Sequence, residues 1–183
     1  SIVDGNNNIY LLGSDSLPSC VYKYDIEGNN FCRLKNVPYN FYDGLAVYSG
    51  RNIYIFSGPD DSKYAYKLEL NSYTLESQLG VPYDMSKGSA AYIDGYMYIM
   101  GGSTSANASK NFYKYDYDNY KYIKLDDLPM HVFRSAVTTI RDCIYMFGSF
   151  NSDDGDVAYK YNTSTNKFTK LATIPQQISF ASA

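Results

Sequence analysis

The stretch Tyr96-Met97-Tyr98-Ile99-Met100-Gly101 decides the fold, because it recurs. Its counterparts are Asn8-Ile9-Tyr10-Leu11-Leu12-Gly13, Asn52-Ile53-Tyr54-Ile55-Phe56-Ser57 and Cys143-Ile144-Tyr145-Met146-Phe147-Gly148. The aligned tyrosines, Tyr10, Tyr54, Tyr98 and Tyr145, stand 44, 44 and 47 residues apart. A second series follows: Tyr22-Lys23-Tyr24-Asp25, Tyr66-Lys67-Leu68-Glu69, Tyr113-Lys114-Tyr115-Asp116 and Tyr159-Lys160-Tyr161-Asn162. A third closes at Pro38, Pro82, Pro129 and Pro175, and six residues past each proline stands a small residue, Gly44, Gly88, Ser135 or Ala181. Four markers hold one register, and a period of about 46 residues is the mark of a repeat architecture.

Each period reads as four short strands. A small-residue strand such as Ser89-Ala90-Ala91-Tyr92-Ile93 ends at a tight turn (Asp4-Gly5, Ser49-Gly50, Asp94-Gly95 or Arg141-Asp142), and most of these favour a primed hairpin. The apolar run comes next, too short and too continuously apolar for an amphipathic helix and suited to a strand buried on both faces. After a variable polar loop comes the Tyr-Lys-Tyr strand with its two-residue alternation. Turns rich in Asn and Asp lead to a fourth strand bearing Phe31, Tyr122 or Phe168, and the proline ends it.

Composition agrees with an all-β chain. Of 183 residues, 45% are apolar and 19% charged, enough for a buried core; 22 Tyr and 9 Phe suit pleated, half-buried surfaces. The formal net charge of -3 gives no electrostatic reason to bind nucleic acid. No apolar run approaches the length of a membrane-spanning helix, so neither nucleic acid nor membrane is an expected partner. Cys20, Cys32 and Cys143 lack metal-type spacing and read as small strand hydrophobes, which leans toward a reducing compartment such as the cytoplasm. The sequons at Asn107 and Asn162 pull the other way, and the compartment stays open.

A four-stranded repeat of this length is a propeller blade, whose two faces are buried only by neighbouring blades. The residues resemble the kelch motif: an apolar strand into a glycine doublet, a Tyr-Asp strand, then an aromatic, a leucine and a proline. The doublet is intact at Gly101-Gly102 and stands as Gly13-Ser14, Ser57-Gly58 and Gly148-Ser149 elsewhere. Phe31, Leu75, Tyr122 and Phe168 replace the family's tryptophan, while Leu34, Leu125 and Leu171 keep its leucine. The expectation is a single all-β domain over residues 1–183, a kelch-type β-propeller of four four-stranded blades.

Kelch rings usually have five to seven blades, so the resemblance implies that blades are missing. Ser179-Phe180-Ala181-Ser182-Ala183 followed by Ser1-Ile2-Val3-Asp4-Gly5 matches Ser86 through Gly95 position for position. A closed four-bladed ring could split one strand between its termini in this way. An arc cut from a larger propeller is favoured, since the sequence opens on Ser1 with no Met. Two arcs associating edge to edge are the third option.

The inventory of reactive groups bounds catalysis. A copper site of the kelch-like oxidase kind needs two histidines, and this chain has His131 alone. No P-loop, dinucleotide fingerprint or metal-type cluster is present, so no cofactor or metal is expected. Asp153-Asp154-Gly155-Asp156 lacks the closing glutamate of a calcium loop and reads as solvated. Lys23, Lys67, Lys114 and Lys160 recur once per repeat, either as a circle of like charge or as solvated strand lysines.

Variable loops on a repeating scaffold are where binding is expected. In kelch rings the loops after the doublet and after the proline emerge on one face. Here they carry Tyr39, Phe41, Tyr42, Asp60, Asp61, Lys63, Tyr83, Lys87, Met130, His131, Phe133, Arg134, Phe150 and Asp154. Aromatic anchors among scattered charges suit a protein or peptide interface, although such rings can also fill a channel mouth. The expected role is a non-enzymatic protein-interaction module. The resemblance implies uses such as the substrate-recognition part of a ubiquitin-ligase adaptor or scaffold. The alternative is a kelch-like carbohydrate-active enzyme of the sugar epimerase or mutarotase type.

Overall fold

A five-residue apolar run between turn formers must pair its N–H and C=O groups with a neighbouring strand once it is buried. The computed structural model describes residues 1–13, 16, 19–38, 41, 43–56, 63–83, 85–104, 107–150 and 153–178. Over these residues the pairing is antiparallel throughout, in four four-stranded sheets and one two-stranded ribbon. The chain divides into two compact units, Ser1–Val81 and Pro82–Ala183.

The first unit holds two sheets. One is built in chain order from β1 (Ile2–Val3), β2 (Asn8–Leu12), β3 (Val21–Asp25) and β4 (Asn30–Arg33). The other follows the same order with β5 (Leu45–Tyr48), β6 (Asn52–Phe56), β7 (Ala65–Glu69) and β8 (Leu75–Gln78). Their shared core gathers Tyr10, Val21, Val37, Phe41, Ile53, Ile55 and Leu68.

The second unit repeats the plan. Its first sheet has β9 (Ser89–Ile93), β10 (Tyr96–Met100), β13 (Phe112–Asp116) and β14 (Lys121–Lys124); β11 (Ser103–Thr104) and β12 (Asn107–Ala108) form the ribbon in the loop between β10 and β13. Its second sheet has β15 (Ala136–Ile140), β16 (Cys143–Phe147), β17 (Ala158–Asn162) and β18 (Lys167–Lys170). The inner strands β9 and β15 lie against each other. Met100, Phe112, Leu128, Met130, Val132, Ile144, Met146 and Tyr161 form the core there.

Register reproduces the repeat at the level of single residues. Each tyrosine of the apolar run stands opposite the lysine of the following strand: Tyr10 and Lys23, Tyr54 and Lys67, Tyr98 and Lys114, Tyr145 and Lys160. The next strand adds a second recurrent pair. Tyr24 opposes Phe31, Leu68 opposes Leu75, Tyr115 opposes Tyr122 and Tyr161 opposes Phe168. The three aromatic pairs have centroids 4.7, 4.5 and 4.8 Å apart. Cross-strand pairs of this type each contribute about 0.2–1 kcal/mol.

The recurrent lysines are half-buried, and Lys67, Lys114 and Lys23 are engaged. Lys67 pairs with Glu76 at 2.6 Å, Lys114 Nζ lies 3.4 Å from the Tyr96 ring centroid, and Lys23 Nζ donates to the Tyr73 hydroxyl at 3.3 Å. The outer strands β4, β14 and β18 are largely exposed, and Lys121, Lys124, Lys167 and Lys170 on the last two discourage pairing with another edge. Cys20 and Cys143 are buried, whereas Cys32 on β4 is exposed.

Small residues after the prolines have a local cause. A Cβ on Gly88 would stand 2.6 Å from the Met100 carbonyl oxygen and 3.0 Å from the Gly102 nitrogen. The crowding therefore comes from the end of the same sheet's second strand. The segment Ser179–Ala183, matched in sequence to Ser86–Ala90, lies outside the described residues.

Candidate functional site

Loops of the second unit bring residues from two different series together. After Pro129 the chain passes through Met130 and Val132, which are fully buried, while His131 between them and Phe133 after them are partly exposed. Phe150 and Asp154 come from the loop that follows Gly148-Ser149. The Phe150 N–H donates to the Phe133 carbonyl at 2.8 Å, and the two rings lie 6.0 Å apart. The Phe133 N–H donates to the Ser135 hydroxyl at 3.1 Å, and the Ser149 hydroxyl donates to the Phe133 carbonyl at 3.4 Å. Sequence reasoning did not select these two serines, which occupy the small-residue and doublet positions.

Arg134 sits against both rings, its Cζ 5.9 Å from the Phe133 centroid and 5.8 Å from that of Phe150. Lys87 Nζ approaches the Phe133 ring at 6.0 Å. Lys87 and Arg134 occupy the same place in successive repeats, five residues after Pro82 and Pro129. Both are left-handed, with φ of 61° and 53°, and the Arg134 N–H donates to the Lys87 carbonyl at 2.8 Å. A non-glycine residue in this region costs on the order of 1 kcal/mol, and such strain concentrates where function holds it. Two basic side chains are thereby placed side by side around one aromatic ring.

Next to this cluster, Asp154 clasps His131. Its Oδ2 accepts the His131 backbone N–H at 2.9 Å and the ring Nδ1–H at 2.6 Å. The carboxylate can only accept, so the proton resides on Nδ1. The repeat did not mark this partner, because the acidic run Asp153-Asp154-Gly155-Asp156 recurs in no other repeat.

Several other residues of the expected face are buried or belong to the first unit. Phe41 and Met130 are core residues at 5% and 0% exposure. Tyr83 is buried and stacks on Tyr113 at 5.4 Å. Lys63 is exposed in the first unit, where its carbonyl accepts the Val81 N–H at 3.0 Å. Tyr39, Tyr42, Asp60 and Asp61 fall outside the described residues. Among the described residues, no three His, Cys, Asp or Glu side chains are grouped to hold a metal ion.

The Asn162 sequon is built into a turn: Nδ2 donates to Asp142 at 2.8 Å, and Oδ1 accepts the Thr165 N–H at 2.7 Å. The Asn162 bond first, and then those from Cys143 and Ser164, outweigh burial and hold the Asp142 carboxyl below its ordinary range.

Comparison with known proteins bears on the fold. The family described as Kelch motif matches residues 86–129, the repeat that carries the intact Gly101-Gly102 doublet. No curated protein matches the chain. A solved structure titled "Structure of YjhT" superimposes with a TM-score of 0.83 at 15% identity, over 97% of this chain and 66% of that one. The chain thus spans slightly less than two thirds of that structure's length. In all, 388 chains of solved structure match, so the fold alone does not select an activity.

Proposed function

We propose that this chain, which carries kelch-type repeats folded as propeller blades, is a non-enzymatic recognition module that binds a protein or peptide. Its contact face is formed by Lys87, His131, Phe133, Arg134, Phe150 and Asp154. The observation that supports this reading is the convergence of Phe133 and Arg134, from the loop after Pro129, with Phe150, from the loop after Gly148-Ser149. The guanidinium lies within cation–π distance of both rings, which restrains it and lowers the entropy lost when its N–H donors meet a partner. Phe150, at 55% exposure, offers an aromatic anchor beside it. Service as the substrate-recognition part of an adaptor or scaffold, including a ubiquitin-ligase adaptor, is the use this reading suggests.

The His131–Asp154 pair favours a second reading. A histidine whose Nδ1–H is held by a carboxylate has Nε2 as a base, as carbohydrate chemistry at a hydroxyl or anomeric centre would need. Selection of peptides from a displayed library against the purified chain separates the two. The module reading predicts enriched peptides whose affinity falls about tenfold or more in Arg134→Ala and Phe150→Ala, with thermal unfolding unchanged. Selection that enriches nothing, or variants that bind as the parent does, would overturn it. Sugar mutarotation that is lost in His131→Gln would establish the enzyme instead.

A further inference from the structure

The first hairpin departs from the repeat. In the third repeat Ile93 opposes Tyr96 across a tight turn at Asp94-Gly95. In the first, Val3 opposes Ile9 and the chain takes the longer path Asp4–Asn8. A buried carboxylate fixes that path. Asp4 Oδ1 accepts the N–H groups of Asn6 at 2.8 Å and Asn8 at 3.0 Å. Its Oδ2 accepts Asn8 Nδ2 at 3.0 Å and the Tyr10 hydroxyl at 3.2 Å. A longer turn held this firmly presents Asn6 at a fixed place.

Opposite it stand two turns of the neighbouring sheet in the same unit, one between β5 and β6 and one between β7 and β8. The Gly5 N–H donates to the Tyr48 hydroxyl at 3.3 Å, which in turn donates to the Gly50 carbonyl at 2.8 Å. Ser72 and Thr74 hydroxyls donate to Glu69 Oε2 at 2.6 and 3.3 Å and hold that side chain in place. Between these turns lies a cavity of about 350 Å³. It is at the hairpin end of the strands, away from the end that bears the post-proline loops.

The walls define the ligand. Asn6, Asn52 and Asn71 each bring a carboxamide that both donates and accepts, Arg51 brings donors and Glu69 acceptors. One positive and one negative charge offset each other, which leaves no net field to hold a phosphate. A lone carboxylate is too few hard ligands for a metal ion. Tyr48 and Leu70 supply apolar carbon, though too little for a hydrophobic ligand. Hydroxyl groups on a compact carbon ring match this mixture, because each one donates and accepts. The volume, near the lower end of the about 300–1,000 Å³ of ligand sites, suits one sugar ring or a short polyol. We propose that the cavity bounded by Asn6, Tyr48, Arg51, Asn52, Glu69 and Asn71 is a binding site for a neutral polyhydroxylated ligand of that size.

The test is an amide chemical-shift titration of the whole chain. The probes are methyl β-D-glucopyranoside, methyl α-D-mannopyranoside and N-acetylglucosamine, with inorganic phosphate and acetate as charged controls. The expected result is saturable shifts at Asn6, Tyr48, Arg51, Asn52 and Asn71 with at least one neutral sugar, and none with the controls. An Asn6→Ala/Asn71→Ala variant, altered only at exposed positions, should bind that sugar about tenfold more weakly, and Arg51→Gln should weaken it as well. Three results overturn the site: no saturable shift at these residues with any neutral sugar, stronger shifts with phosphate or acetate, or full affinity in both variants.

Discussion

At the scale of the residue, the glycine doublet shows how backbone geometry dictates sequence. Gly101 and Gly102 have φ of 65° and 89°, in the left-handed region. They turn the chain so that the Gly101 N–H meets the Asn111 carbonyl at 2.9 Å and the Gly102 N–H meets that of Val132 at 2.7 Å. A Cβ on Gly101 would run into the Val132 carbonyl, and one on Gly102 would lie 2.7 Å from the Met85 Cα. Both conformation and space exclude a side chain. Gly101→Val should therefore cost about 3 kcal/mol or more, read as a lower urea midpoint at unchanged slope. An unchanged midpoint would mean that this turn has another shape. Gly148, with φ of 62°, repeats the first position of the doublet.

At the scale of the element, the turns carry much of the polar chemistry. The residue after each Tyr-Lys-Tyr or Tyr-Lys-Leu run accepts hydrogen bonds from its own turn. Asp25 takes the Glu27 and Gly28 N–H groups, Asp116 those of Asp118 and Asn119, and Glu69 the Ser72 hydroxyl. Asp4 plays a comparable part in the first hairpin. Burial alone would raise its carboxyl, but hydrogen bonds from Asn8, Asn6 and Tyr10 outweigh burial and hold it below the ordinary 3.8. A depressed carboxylate stabilises the fold above its ordinary value, and the contribution is lost as pH falls through the lowered one. Asp4→Asn should thus lower the unfolding temperature near neutrality and flatten its fall below pH 3.8; an identical acid limb in both proteins would dissociate Asp4 from this effect. The strand register was legible in the sequence because tyrosine, lysine and aromatic positions recur at fixed offsets. The long first turn was not, since Asp4-Gly5 looks like the tight turn at Asp94-Gly95 until the pairing of Val3 with Ile9 is seen. Loop membership likewise placed Phe133, Arg134 and Phe150 near one another, but it could not tell which loop side chains turn inward. Met130 and Phe41 do so because residues beside the strand ends complete the two cores.

At the scale of the molecule, the high tyrosine content has a thermodynamic consequence. Burial pushes the Tyr98 and Tyr115 hydroxyls up from 10.0 to about 12, and it raises Tyr10, Tyr122 and Tyr161 as well. A raised pKa means that the folded chain keeps protons the unfolded chain gives up. Their contribution is whole below pH 10 and drains away as pH climbs through about 12. The urea midpoint should fall steeply across that window alongside the rise of tyrosinate absorbance, and a Tyr98→Phe/Tyr115→Phe variant should fall less. A flat midpoint would show that these rings reach water in the native state. The thiols divide as sharply as the phenols do, with Cys20 and Cys143 enclosed and Cys32 open on the outermost strand of the first sheet. A maleimide dye added to the native chain should consequently attach at a single address, giving a stoichiometric fluorescent reporter without any engineered cysteine.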